Sequence, residues 1–170
     1  MKTLILYSSH DGQTKKIAEV LAKQFEGCEL HSVLDSGIDL AKFDRIVIGA
    51  SIRYGHFSQA LYKLIENQTA LLNEKQTAFF GVNLTARKQG KDTPETNVYV
   101  RKFLQRIRWK PTISAVFAGA LLYPRYNWFD RVMIQFIMKI TGGETDPTKE
   151  IEYTNWEKVI EFADKLKKMN

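Results

Sequence analysis

Between a short apolar run and a helix-patterned segment the chain reads Tyr7-Ser8-Ser9-His10-Asp11-Gly12-Gln13-Thr14. Small and hydroxyl-bearing residues at such a junction leave the first amides of the helix open. Those N–H groups and the positive end of the helix dipole suit an anion, with phosphate the natural occupant. The same residue types also serve as helix caps, here through Ser9 or Asp11. The spacing is neither the G-x-G-x-x-G dinucleotide turn nor the G-x-x-x-x-G-K-[ST] loop of NTPases, which removes both of those nucleotide chemistries. His10, His31 and His56 lack metal-ligand spacing and a carboxylate cluster, and no Ser, His and Asp grouping points to acyl transfer. No metal is expected.

A second chemical signal is charge. The 170 residues carry 25 Lys and Arg against 19 Asp and Glu, a net +6. From Arg87 to Lys139 there are 11 basic residues and 3 acidic ones, a local +8, while the rest of the chain comes to −2. Such a region suits phosphate, carboxylate or anionic lipid, and is equally compatible with a merely solvated surface. Nucleic-acid binding through these cations with Trp109, Tyr123, Tyr126 and Trp128 is the weakest reading, because a lipid or ring-shaped ligand asks for the same mixture.

The elements that must position these residues alternate in type. Thr3 to Tyr7, Glu29 to Val33, Arg45 to Ala50, Thr77 to Val82 and Ile113 to Ala120 are short apolar or β-branched runs. Four are nearly continuous, as in strands covered on both faces, and Glu29 to Val33 alternates like an edge. Helical spacing marks Thr14 to Glu26, Ser58 to Asn67, Pro94 to Arg108 (with Pro94 in the first turn) and Trp156 to Lys168. Strands and helices in series define an α/β protein with a parallel sheet, and 170 residues suit one domain. With Cys28 alone there is no intramolecular disulfide, the start is too short in apolar residues for a signal peptide, and no run is long enough to span a bilayer. A reducing, cytosolic setting is the expectation. The segment from about 121 to 150 is an insertion after the fifth strand. It carries Trp128, Phe129, Val132, Met133, Ile134, Phe136, Ile137, Met138 and Ile140 on a helix with little polar face. The sheet, a second subunit in a homo-oligomer, or a membrane surface flanked by Arg125, Arg131 and Lys139 would cover it.

Ser9-x-Asp11-Gly12-x-Thr14 resembles the flavodoxin phosphate loop, [T/S]-x-T-G-x-T, in which hydroxyls and amides wrap the phosphate of FMN. The resemblance implies a flavodoxin-like doubly wound five-stranded parallel sheet of order 2-1-3-4-5, with the ligand at the carboxyl ends of strands 1 and 3. Asp11 stands where that family usually has Thr; since a carboxylate repels phosphate, Asp11 is expected to turn away and cap the helix. On this resemblance the cofactor site comprises Ser9, His10, Asp11, Gly12, Gln13 and Thr14, then Ser51, Ile52, Arg53, Tyr54 and Gly55 after strand 3, and Asn83, Leu84, Thr85 and Ala86 after strand 4. Tyr54 is the first candidate to stack on the flavin and His56 the second. Flavodoxin carriers surround FMN with acid; Arg53, Arg87 and Lys88 would instead supply positive charge that helps FMN take two electrons from a substrate.

Over essentially its full length, through TLILYSSHDGQT, RIVIGASIRYGHF, VNLTARK, AGALLYPRYNWFDRVMI and KITGGETDPTKEIEYTNWE, the chain resembles the menaquinone-dependent protoporphyrinogen IX dehydrogenases, flavodoxin-like enzymes of bacterial haem synthesis. That resemblance implies oxidation of protoporphyrinogen IX at FMN, electrons passed to menaquinone or ubiquinone, and a peripheral place on the cytoplasmic face of the inner membrane. Arg125 and Arg131 are then candidates for propionate or lipid headgroups, and Tyr123, Tyr126, Trp128 and Phe129 for a wall against the tetrapyrrole; no residue is assigned as catalytic base. An NAD(P)H:quinone oxidoreductase or a flavodoxin-type electron carrier would keep the same cofactor loops.

Overall fold

A computed structural model describes residues 1–169. Its frame is a parallel sheet of β1 (Thr3–Ser8), β2 (Glu29–Ser32), β3 (Arg45–Ser51), β4 (Gln76–Asn83) and β5 (Ile113–Ala118), in the order β2-β1-β3-β4-β5. Three of the four continuous runs, β1, β3 and β4, are buried on both faces. The fourth, β5, is instead an edge strand whose first half, Ile113 to Ala115, is only partly buried, and the alternating run Glu29–Ser32 is the other, half-buried edge. Side chains alternate sides along a strand. Leu4, Leu6, Ile46, Ile48 and Phe79 therefore pack under α2 (Gln59–Glu74) and α3 (Val98–Arg106). Ile5, Val47, Ala78 and Phe80 pack under α1 (Gln13–Ala22) and α5 (Trp156–Lys167).

Expected boundaries differ at several places. Helix α1 stops at Ala22 rather than Glu26, and α2 continues to Glu74 rather than ending at Asn67 because Leu71 and Leu72 extend its packed face. Two further differences have local reasons. The run from Ile113 to Ala120 is not one strand. It breaks at Gly119, where Tyr153 donates its amide to the glycine carbonyl at 3.0 Å, and the chain restarts as β6 (Ala120–Leu122), antiparallel to β7 (Glu150–Glu152). The third helix begins at Val98 rather than Pro94, because Asn97 caps it by accepting from the Val100 amide at 3.3 Å. The insertion folds as a 3-10 turn at Tyr123–Arg125 followed by α4 (Trp128–Thr141). Leu121, Tyr123, Ile134 and Met138 make a small core of their own that seats α4 beside the carboxyl ends of the central strands.

Candidate functional site

Helices α2, α3, α4 and α5 each have a side-chain cap, from Ser58, Asn97, Asn127 and Asn155. The first turn of α1 has none: Gly12 occupies the cap position at φ 100°, a conformation glycine adopts without strain. Ser9 folds under the turn, its Oγ accepting from the Gly12 amide at 3.0 Å. Thr14 is fully buried, and its hydroxyl has no hydrogen-bond partner among the described residues. A buried hydroxyl without a partner costs about 1–3 kcal/mol. An open helix N-terminus beside such a hydroxyl is the arrangement a phosphate would complete.

Asp11 does not cap the helix, contrary to expectation. With glycine in the cap position, its carboxylate turns to the loop after β3 and accepts from Arg53, while its carbonyl accepts from Arg125 at 3.1 Å. Arg53 also donates to Asp130 in the first turn of α4 at 3.0 Å and lies 5.3 Å from the Tyr126 ring centroid. The positive charge expected of Arg53 is thus offset by two carboxylates. Burial alone would lower the Arg53 pKa, but Asp11 and Asp130 outweigh it and hold the guanidinium above its ordinary value. Partial burial and the Arg53 cation keep the His10 imidazole below its usual range.

The loop after β3 is a two-residue reversal. Arg53 and His56 exchange backbone hydrogen bonds at 2.9 and 3.1 Å, with Tyr54 at φ 53° and Gly55 at φ 80° between them. Two consecutive left-handed residues make the tight turn that carries the half-exposed Tyr54 ring across to α4, its hydroxyl donating to Asp130. After β4 the chain is held by a reciprocal amide pair, Asn83 and Asn97, at 3.0 Å in each direction. Asn83 also accepts from the Ala86 amide at 3.0 Å, so its side chain shapes the loop and is not free to reach a ligand.

These loops and α4 enclose a cavity of about 790 Å³, within the usual range for small-molecule sites. Ser9, His10, Asp11, Gln13, Thr14, Ser51, Ile52, Arg53, Tyr54, Gly55, Asn83, Leu84 and Thr85 all line it, as do His56, Arg87 and Lys88. Gly12 and Ala86 do not; they act through backbone shape and, for Ala86, burial.

The expected wall residues divide. Tyr126 lines the cavity, fixed by its hydroxyl accepting from the Leu122 amide at 3.0 Å, and burial raises its pKa. Tyr123 is a core residue whose hydroxyl donates to the Glu144 carbonyl at 2.5 Å, and its burial pushes the phenol pKa up to about 12. Trp128 and Phe129 point outward, 69% and 60% exposed. Arg125 pairs with Glu150 at 3.3 Å, and neither it nor Arg131 lines the cavity. The wall that does form is Met133, Ile134, Ile137 and Met138 of α4, with Tyr99 of α3 opposite, against Gly55. The dense apolar run within Trp128 to Ile140 carried the signal for the α4 residues; nothing local marked Tyr99.

The fold and this site define a flavodoxin-type protein, and comparison agrees: a flavodoxin domain model matches residues 4–148, so the chain belongs to that family. More particularly, it is 49% identical, over 96% of its length and 93% of theirs, to the protein named protoporphyrinogen IX dehydrogenase [quinone] in Escherichia coli K12. A protein of the same name in Leishmania major is 52% identical over 95% of this chain and 73% of its own. Among solved structures, flavodoxin 1 of Bacillus cereus shares the fold at a TM-score of 0.58 and 17% identity, covering 99% of this chain and 98% of its own.

Proposed function

We propose that this chain is an FMN-dependent dehydrogenase that oxidises protoporphyrinogen IX to protoporphyrin IX, a step of haem synthesis, and passes the electrons to menaquinone or ubiquinone. The observation that carries the reading is the near-50% identity, over almost the whole chain, to relatives that bear that name. The cavity supports it. Ser9, Thr14 and the open first turn of α1 would hold the phosphate of FMN, and the loops after β3 and β4 its ring. FMN, when bound, would supply two-electron acceptance from a carbon centre. The protein's own share is placement: the α4 wall and Tyr126 exclude water and hold a broad apolar ring at the cofactor loops.

The quinone reading fits the other side of α4. Trp128, Phe129, Val132, Phe136 and Ile140 are exposed, and so in part are Met133 and Ile137, which also line the cavity. No helix among the described residues is long and apolar enough to cross a membrane. An anionic membrane surface at the cytoplasmic face would cover this face and deliver a lipid-soluble acceptor to the cavity edge.

The test is anaerobic turnover of FMN-loaded protein with a menaquinone analogue, followed by porphyrin fluorescence. Protoporphyrin formation with quinol appearing in step is the expected result. Rapid quinone reduction by NAD(P)H, with porphyrinogen inert, would overturn the substrate assignment. Folded protein that takes up no FMN would overturn the redox role itself.

A further inference from the structure

The basic side chains near the cavity are not electrically equivalent. Arg53 faces Asp11 and Asp130, and Arg125 faces Glu150. Arg87 is held differently. Its guanidinium donates to the Leu84 carbonyl at 2.8 Å and to the Thr141 hydroxyl at 3.4 Å, and lies 5.9 Å from the Tyr153 ring centroid. All three partners are neutral, and no carboxylate pairs with it among the described residues. Asp92, the nearest acid along the chain, is taken by Lys158. Lys88 beside it also lines the cavity and has no ion pair among the described residues. Arg87 is therefore a cation whose position is fixed and whose charge is unspent, at the edge of an apolar wall.

A guanidinium already held by neighbours loses little freedom when it accepts a carboxylate through two parallel hydrogen bonds. We propose that Arg87, with Lys88 beside it, is the carboxylate anchor of the substrate site: it takes an acidic side arm of an amphipathic ring compound whose apolar body lies against Met133, Ile137 and Met138. The inference rests on the substrate reading above and names the residues that select for the acid.

The competing role for Arg87 is a staple between the loop after β4 and the carbonyl end of α4, where a cation is favoured in any case. A chemical substitution on the ligand separates the two. Equilibrium binding of protoporphyrin IX and of its dimethyl ester to FMN-loaded protein, read by fluorescence, requires no turnover. The wild type binds the free acid about 10-fold or more tightly than the ester, and Arg87→Gln brings the two near parity, while Arg87→Lys recovers part of the difference. The same narrowing appears in KM when the corresponding porphyrinogens are oxidised, and FMN affinity by fluorescence titration is unmoved. Equal loss for acid and ester in Arg87→Gln would overturn the proposal in favour of the staple. Weakened FMN binding with porphyrin affinity intact would overturn it in favour of a cofactor contact. Wild-type protein that prefers the porphyrin acid yet oxidises no porphyrinogen would refute the activity and leave the anchor standing.

Discussion

Thr14 and Asp11 lie in the same turn and carry opposite predictions. The Thr14 hydroxyl is buried without a partner, so Thr14→Val removes a destabilising group from the cofactor-free protein and a hydrogen-bond donor from the bound state. FMN affinity should fall by about 10-fold, since bonds to charged groups contribute roughly 1.5–3 kcal/mol, while the Tm of the FMN-free protein holds or rises. Titration of flavin fluorescence and a thermal melt, on one protein preparation, read both. Asp11 is a carboxylate beside the expected phosphate, made tolerable by Arg53. Arg53→Met should therefore weaken FMN binding by about 10- to 100-fold, and Asp11→Asn in the same chain should restore most of the loss. A double variant as weak as Arg53→Met alone would show that Arg53 acts on the flavin directly. Local pattern was enough to find the turn and its hydroxyls. It could not find the partner of Asp11, because Arg53 lies 42 residues away and reaches it only through the β1–β3 pairing.

The same division between local and distant information holds for whole elements. Strand cores and four helices were legible from apolar runs and 3.6-residue spacing, because burial on one face imposes that period. The β6–β7 pair was not, since Ala120 meets Glu152 across an entire helix and neither strand has a period of its own. Glu152 shows why this small pair matters to the site. It accepts from Lys16 at 2.6 Å, from Gln13 at 3.1 Å and from the Trp156 indole at 2.7 Å, tying β7 to the start of α1 and to α5. Burial would raise its pKa, but Lys16, Trp156 and Gln13 outweigh that and hold it below the usual carboxylate value. A lowered folded-state pKa contributes stability at pH values above the unfolded one, near 4.3, and that contribution is lost as pH falls through the folded value. As pH falls from about 5 to about 3, the wild-type Tm should fall further than that of Glu152→Gln. Parallel melting curves for the two proteins would refute the tie.

At the scale of the molecule, the +8 region of the sequence does not fold into one patch. Lys110 caps the carbonyl end of α3 through Leu104 and Ile107, Arg106 lies 4.1 Å from the Tyr62 ring centroid, and Arg101 bonds the Glu95 carbonyl. What remains on α4 is smaller: Arg131 and Lys139 on the same helix as the exposed Phe129, Val132, Phe136 and Ile140. Burying a large apolar side chain contributes up to about 1.5–3 kcal/mol and each basic residue at an anionic leaflet roughly 1 kcal/mol, so reversible attachment through this face is affordable without a spanning helix. Deleting the insertion cannot test this, because Leu121, Tyr123, Ile134 and Met138 form a core within it. Substituting only the outward residues can. FMN-loaded wild type should float with vesicles containing anionic phospholipid, and less with neutral ones. The Phe129→Gln, Phe136→Gln, Ile140→Gln triple variant should stay in the aqueous fraction while its FMN content and Tm match wild type. It should also reduce a short-chain, water-soluble quinone at the wild-type rate but lose most turnover when the quinone is confined to the vesicle. Equal flotation of the two proteins would assign the apolar face of α4 to another partner and leave the cavity chemistry untouched.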